Sequence, residues 1–239
     1  MPQPVKIRAV IASIVEHSPG LKTFILRPDR PVPRFHPGQF LHLAIDPYDP
    51  SQHWPESRVF SIASPPEQRS EIRITVSAVG RFTRRMMQLE SGEAVWIKLP
   101  YGEFVFDLSN RGPAILLAGG TGVAPFISWL GSATCRLDDI TLLYGVRSPE
   151  MLIYRQAADE AKGRCPAFRW IPFIESGEMP GAVVGRLTAG VAVDEAVCRG
   201  GLASAVFYLS GPPAMLSALR EDLSRAGVRP EAIRQDSWE

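Results

Sequence analysis

Cysteine is scarce in this chain. Three stand in 239 residues, Cys135, Cys165 and Cys198, and no two form a CxxC pair. That spacing excludes an iron–sulfur or structural zinc site built by this chain alone, so no metal ligands are expected. An odd cysteine count fits a reducing compartment. The opening stretch, MPQPVKIRAVIASIV, alternates like a strand and is broken by Glu16 and His17. It therefore lacks the unbroken apolar core of a secretory leader, and a cytoplasmic location is expected. No apolar run approaches the ~20 residues that span a bilayer. An excess of one charge is missing too. Residues up to 110 carry 13 Lys and Arg against 11 Asp and Glu, the remainder carry 13 against 14, and the net charge is +1. Without a basic stripe or a charged tail, the chain does not read as a nucleic-acid binder. Internal repeats and low-complexity segments are absent as well.

What is present is ample core material, with 45% apolar and 21% charged residues. The length suits two domains of about 100–130 residues. In the first 108 residues, short runs rich in β-branched and aromatic residues recur: Val5–Val15, Thr23–Leu26, Phe40–Ile45, Arg58–Ile62, Ile72–Val76 and Val95–Lys98. Pro/Gly/Asp clusters separate them, a spacing that predicts a closed antiparallel barrel. One helix is predicted within it, over Phe82–Leu89. Beyond Asn110–Pro113, the predicted boundary, apolar strands alternate with helices. Strands are predicted at Ala114–Ala118, Ile140–Tyr144, Phe168–Ile174 and Ala205–Leu209, and helices at Ala124–Leu130, Arg155–Lys162 and Ala214–Ala226. This alternation predicts a parallel sheet covered on both faces.

Four motifs carry candidate chemistry, and each also has a plainer reading. In AILLAGGTGVAPF, residues 114–126, a buried strand runs into Gly119, Gly120, Thr121 and Gly122 and then a helix with Pro125 in its first turn. Glycines let the backbone approach a pyrophosphate, and a helix start directs N–H groups at it. The strict GxGxxG spacing is not met, and a simple tight turn is the alternative. Arg58, Val59, Phe60 and Ser61 lie on a predicted strand, with Arg58 and Phe60 on one face; an exposed arginine on a half-buried strand is the alternative. Gly80, Arg81, Phe82 and Thr83 precede or open a helix, as an anion site or as ordinary capping. Ser210, Gly211, Pro212 and Pro213 sit between the last apolar strand and the last long helix, either at a ligand-binding strand end or as turn punctuation.

Taken in order, these motifs resemble the ferredoxin–NADP⁺ reductase superfamily, above all reductase components of bacterial oxygenases and bacterial ferredoxin reductases. Pro37–Phe40, Pro100–Phe104 and Tyr144–Arg147 complete the series, which covers nearly the whole chain. The resemblance implies an N-terminal Greek-key β-barrel binding FAD, residues 1–110, and a C-terminal Rossmann-like domain binding NAD(P), residues 111–239. It implies a hydride passed from NADH or NADPH to FAD, with electrons leaving singly to a ferredoxin, a flavodoxin or an oxygenase component. Arg58 would hold the FAD pyrophosphate, with Val59 beside it. Phe60 would stack on the flavin, and Ser61 would hydrogen-bond near its N5. Gly80, Arg81, Phe82 and Thr83 would bind FAD phosphates. Gly119, Gly120, Thr121 and Gly122 would line the path of the nicotinamide nucleotide, with Gly211 and Pro212 beside the nicotinamide. Pro37–Phe40 and Pro100–Phe104 are expected to be structural.

Three departures from the family pattern stand out. Phe60 replaces a tyrosine, Ser210 replaces a cysteine, and the chain ends in Asp236–Ser237–Trp238–Glu239. Relatives often end in an acidic residue, a spacer and an aromatic, so Trp238 would cover the flavin or belong to a plain tail. Ser61, Ser210 and Trp238 are thus the candidate catalytic positions. Coenzyme choice stays open. Arg147 and Arg186 suit a 2′-phosphate, whereas the Glu175 carboxylate would repel one and accept from a ribose hydroxyl, tilting the reading to NADH. Arg81, Arg84 and Arg85 would dock an acidic acceptor or form a solvated helix face. Release of free reduced flavin, reduction of ferric chelates, and a non-catalytic subunit on the same fold are the competing functions. Oligomeric state is left open.

Overall fold

The computed structural model describes residues 3–107, 112–133, 135 and 139–236. They fall into two compact units, Met1–Phe106 and Asp107–Glu239. Asn110 and Arg111 of the expected boundary lie outside the described residues.

The first unit is built from β1 (Val5–Ser18), β2 (Leu21–Pro28), β3 (Phe40–Ala44), β4 (Ser57–Ser61), β5 (Ile72–Ser77) and β6 (Ala94–Tyr101), with one short helix, α1 (Arg81–Met86). The strands pair antiparallel in the order β4-β3-β6-β1-β2-β5. The period-2 pattern is carried through. In β6, for example, Val95, Ile97 and Leu99 are buried while Trp96 and Lys98 are half-buried. Phe24, Leu26, Leu41, Leu43, Ile62, Ile72 and Ile74 fill the interior with them.

The barrel is nearly closed rather than closed. β4 and β5 lie alongside one another without a ladder, and the seam is bridged beyond β4, where the Ala63 N–H donates to the Arg73 carbonyl at 2.8 Å. Pro65 and Pro66 follow after Ser64, and residues without an N–H cannot extend a ladder. The helix expected over Phe82–Leu89 is shorter. Gln88 and Leu89 bond to carbonyls three residues back, Arg85 and Met86, and the last turn tightens out of the α form.

The two Pro/Gly segments interlock. Gly38 has φ +96°, and a Cβ there would collide with the Phe104 carbonyl. The buried Gln39 donates from Nε2 to the Gly102 carbonyl at 3.1 Å, and its own carbonyl accepts from Ile62 at 3.1 Å. Those bonds fix the exit of β4 and therefore the position of Arg58 to Ser61.

The second unit contains β7 (Ala114–Gly119), α2 (Ala124–Gly131), β8 (Ile140–Val146), α3 (Arg155–Arg164), β9 (Arg169–Ile174), β10 (Val183–Val184), α4 (Ala189–Cys198), β11 (Val206–Ser210), α5 (Pro213–Arg225) and β12 (Ile233–Gln235). All six strands are parallel, in the order β10-β9-β8-β7-β11-β12. Ile115, Leu117, Leu143, Phe207 and Leu209 face α4 and α5 through Ala192, Ala196, Leu216, Leu219 and Leu223. Residues of the other parity face α2, where the Trp129 and Tyr208 rings lie 5.8 Å apart. Sequence reading identified neither α4 nor the short strands β10 and β12.

Candidate functional site

In the second unit the chain runs from β7 to β8 to β9 on one side of β7, then returns to β11 and β12 on the other. Between β7 and β11 the direction of winding reverses, and the loops at the carboxyl ends of those two strands bound the crevice where open α/β sheets take ligands. Both glycine motifs meet there. A Cβ added at Gly119 would lie 2.5 Å from the Met215 sulfur and 2.9 Å from Pro212, and one added at Gly122 would lie 2.5 Å from the Gly211 nitrogen. Gly211 itself has φ +158° and packs on the backbone of Gly119. Thus Gly122 and Gly211 let the loops after β7 and β11 approach backbone to backbone, and Gly119 makes room for the Pro212 and Met215 side chains. Gly120 differs. It has φ +54°, and nothing stands within 4 Å of its Cβ position, so Gly120 borders open space at the start of a short 3₁₀ turn ahead of α2.

The other expected residues of this unit fall along the same carboxyl edge. Arg147 follows β8 and is exposed, and its carbonyl accepts from both the N–H and the hydroxyl of Ser176, at 2.8 and 2.9 Å. Glu175 follows β9, and its N–H donates to Val146 at 3.1 Å. Arg186 lies just beyond β10, and its Nε donates to the Glu175 carboxylate at 3.1 Å. The guanidinium expected for a 2′-phosphate is therefore engaged by the carboxylate expected to repel one.

Ser210 ends β11 and is buried. Its hydroxyl donates to Asp236 Oδ2 at 3.0 Å. Parallel pairing of β12 with β11 delivers Asp236 to this point, and the Asp236 N–H donates to the Leu209 carbonyl at 2.9 Å. Burial pushes the Asp236 carboxyl up to about 7, while the Ser210 hydrogen bond pulls the other way. The sequence placed an acidic residue here but gave no sign of its partner, because a three-residue strand carries too little pattern to fix its neighbour. Trp238 lies outside the described residues.

In the first unit, Arg58 is exposed on β4 and its guanidinium lies over the Phe82 ring of α1, 5.2 Å from the centroid. Phe60, two residues on, is half-buried against the core, Val59 is half-buried, and Ser61 is buried at the strand end. Gly80 precedes α1. The Thr83 hydroxyl turns back to accept from the Val79 and Gly80 N–H groups at 2.9 Å each, so its side chain serves the capping alternative. Glu56, which sequence reading missed, joins the two arginines. Arg58 Nη2 donates to Oε1 at 2.9 Å, and Arg81 Nη2 donates to Oε2 at 3.5 Å. Of the arginines considered for acceptor docking, Arg85 is also neutralised, by a two-pronged pair with Asp46 at 2.6 and 3.3 Å. That pair holds the Asp46 carboxyl below its usual range.

Two guanidiniums at the end of β4 and the start of α1, and the open backbone at Gly120, are features that an anionic dinucleotide would require. The β7–β11 crevice offers open glycine backbone to a nucleotide. The end of β4 and the start of α1 present two guanidiniums already bound to an anion. Among the described residues, no group of three or more His, Cys, Asp or Glu is placed to hold a metal ion, and no helix is long and apolar enough to cross a membrane.

Comparison with known proteins agrees with this layout. Residues 116–221 match the family described as Oxidoreductase NAD-binding domain. The chain is 34% identical over 211 residues to reductase component 2 of terephthalate 1,2-dioxygenase from Comamonas sp, covering 85% of this chain and 59% of that protein. It is 32% identical over 218 residues to the reductase component of phenol 2-monooxygenase from a Pseudomonas species, covering 88% and 59%. The chain thus spans about three-fifths of the length of these relatives. Among solved structures, a ferredoxin NADP⁺ reductase from Neisseria gonorrhoeae with bound FAD and NADP superposes with a TM-score of 0.80 at 20% identity, over 99% of this chain and 100% of that one.

Proposed function

We propose that this chain is a cytoplasmic NAD(P)H-dependent FAD reductase of the ferredoxin–NADP⁺ reductase superfamily that delivers electrons singly to a protein acceptor. The names of its relatives support an oxygenase component or a ferredoxin as the acceptor class. The single observation that carries the reading is the crevice between β7 and β11. Gly122 and Gly211 bring its two loops into backbone contact there, and Gly120 leaves its backbone open.

In this reading the first unit, Met1–Phe106, holds FAD and the second, Asp107–Glu239, holds the nicotinamide nucleotide. Bound flavin supplies the conversion of a two-electron hydride donor into one-electron deliveries. The protein's own residues bind and orient. Arg58 and Arg81 hold the pyrophosphate charge, Phe60 offers an apolar ring to the flavin, and Ser61 offers a hydroxyl. Gly120 and Thr121 present backbone to the nucleotide phosphates. Ser210, Gly211 and Pro212 flank the nicotinamide, and Asp236 fixes the direction of the Ser210 hydroxyl. The Glu175–Arg186 pair favours NADH, because a 2′-phosphate would meet a carboxylate and an arginine already engaged.

Steady-state reduction of ferricyanide by FAD-reconstituted protein tests the reading. Turnover that depends on FAD and is more efficient with NADH than NADPH is expected. Protein that holds FAD yet turns over with neither coenzyme contradicts it.

A further inference from the structure

We propose that Glu56 is an internal competitor for the FAD pyrophosphate: its carboxylate occupies the guanidiniums of Arg58 and Arg81 and has to leave them when the dinucleotide binds. The inference rests on the proposed FAD site and adds a residue that sets how tightly, and how exchangeably, that site holds its ligand.

The geometry is that of an anion shared between two clamps. One oxygen of Glu56 accepts from Arg58 and the other from Arg81, although Arg81 lies 25 residues further along the chain. Arg58 is further held by its Nη1 donation to the Ser57 carbonyl at 2.8 Å and by the Phe82 ring beneath it. The guanidinium face turned to Glu56 is therefore the one still available for an incoming oxyanion. The Nη2 N–H groups that donate to Glu56 are not free to donate to a phosphate oxygen at the same time.

Charge says the same. Two guanidiniums and one carboxylate leave a net of one positive charge, whereas a pyrophosphate diester brings two negative ones. With Glu56 in place the assembly is net negative; with Glu56 swung out it is balanced. Glu56 and both arginines are at least a third exposed at their side chains, at 36%, 51% and 85%. Exposed pairs of this kind exchange at small cost, so the carboxylate serves as a replaceable stand-in. It keeps the arginines assembled in the empty protein and weakens the filled one.

Glu56→Gln removes the charge and keeps the shape. The test is equilibrium binding of FAD and of riboflavin, which lacks any phosphate, to flavin-free protein, followed by fluorescence at two salt concentrations. The variant is expected to bind FAD about threefold to fivefold more tightly than wild type at low salt, with the gain shrinking at high salt and riboflavin affinity unchanged. In an Arg81→Ala background the same change is expected to give a smaller gain. Unchanged or weaker FAD binding by Glu56→Gln, or an equal gain for riboflavin, overturns the proposal. Wild-type protein that binds no flavin would instead overturn the FAD site itself, so the two failures are distinct.

Discussion

The Ser210 hydroxyl donates to the Asp236 carboxylate at 3.0 Å, and both side chains are buried, at 1% and 2% exposure. Burial raises the Asp236 carboxyl from 3.8 in the free group to about 7. Between those values the folded protein keeps a proton that the unfolded chain has lost. The stability this group contributes is therefore fully present below about pH 4, falls as the pH rises to about 7, and is level above that. At about 1.4 kcal/mol per unit the whole effect is on the order of 4 kcal/mol. Asp236→Asn is expected to match wild type near pH 4 and to exceed it near pH 8, as read from urea midpoints. Parallel pH profiles for the two proteins would show that the carboxyl does not titrate in this way.

Glycine substitutions separate packing from openness. Gly122→Ala puts a Cβ against the backbone of Ser210 and Gly211, so the loops after β7 and β11 have to part. A loss of about 2 kcal/mol or more and weakened nucleotide binding are expected. Gly163, inside α3, has nothing within 4 Å of its Cβ position, and Gly163→Ala is expected to stabilise by about 0.5–1 kcal/mol. Thermal denaturation of both variants checks the contrast. Equal effects would contradict the close approach at Gly122.

Coenzyme preference is expected to follow the Glu175–Arg186 pair. Glu175→Ser frees the Arg186 guanidinium and removes the like-charged neighbour of a 2′-phosphate. The ratio of kcat/KM for NADPH over NADH is expected to rise about tenfold, the equivalent of one charged contact of ~1.4 kcal/mol. An unmoved ratio would place selection elsewhere.

Arg58→Ala removes a guanidinium that nothing else in β4 replaces. FAD affinity is expected to drop by about tenfold or more while riboflavin affinity stays within about twofold, as expected for a charge-assisted contact to phosphate. A parallel loss for both flavins would assign Arg58 to the folding of the strand rather than to phosphate.

Much of this was legible in the chain because local pattern and tertiary role coincide. The run AILLAG has no polar residue and ends in glycines, so only a central strand followed by a tight turn suits it, and β7 is buried throughout. The alternating Val95, Ile97 and Leu99 announce a barrel strand in the same way. α4, in contrast, is AGVAVDEAVC. Its valines and Gly190 disfavour a helix locally, and the helix forms because Ala189, Ala192 and Ala196 pack on the sheet. β10 and β12, with two and three residues, are shorter than any periodicity can reveal. The Glu56–Arg81 and Ser210–Asp236 contacts join residues about 25 positions apart, and pairings made by folding leave no local signature.

The most direct test of the central claim is an absorption spectrum of the purified, FAD-loaded protein, recorded anaerobically before and after addition of NADH and then NADPH. The account predicts flavin bands at about 450 nm that bleach promptly with NADH and less readily with NADPH. Bound flavin that bleaches with neither, or protein that takes up no flavin at all, would contradict it.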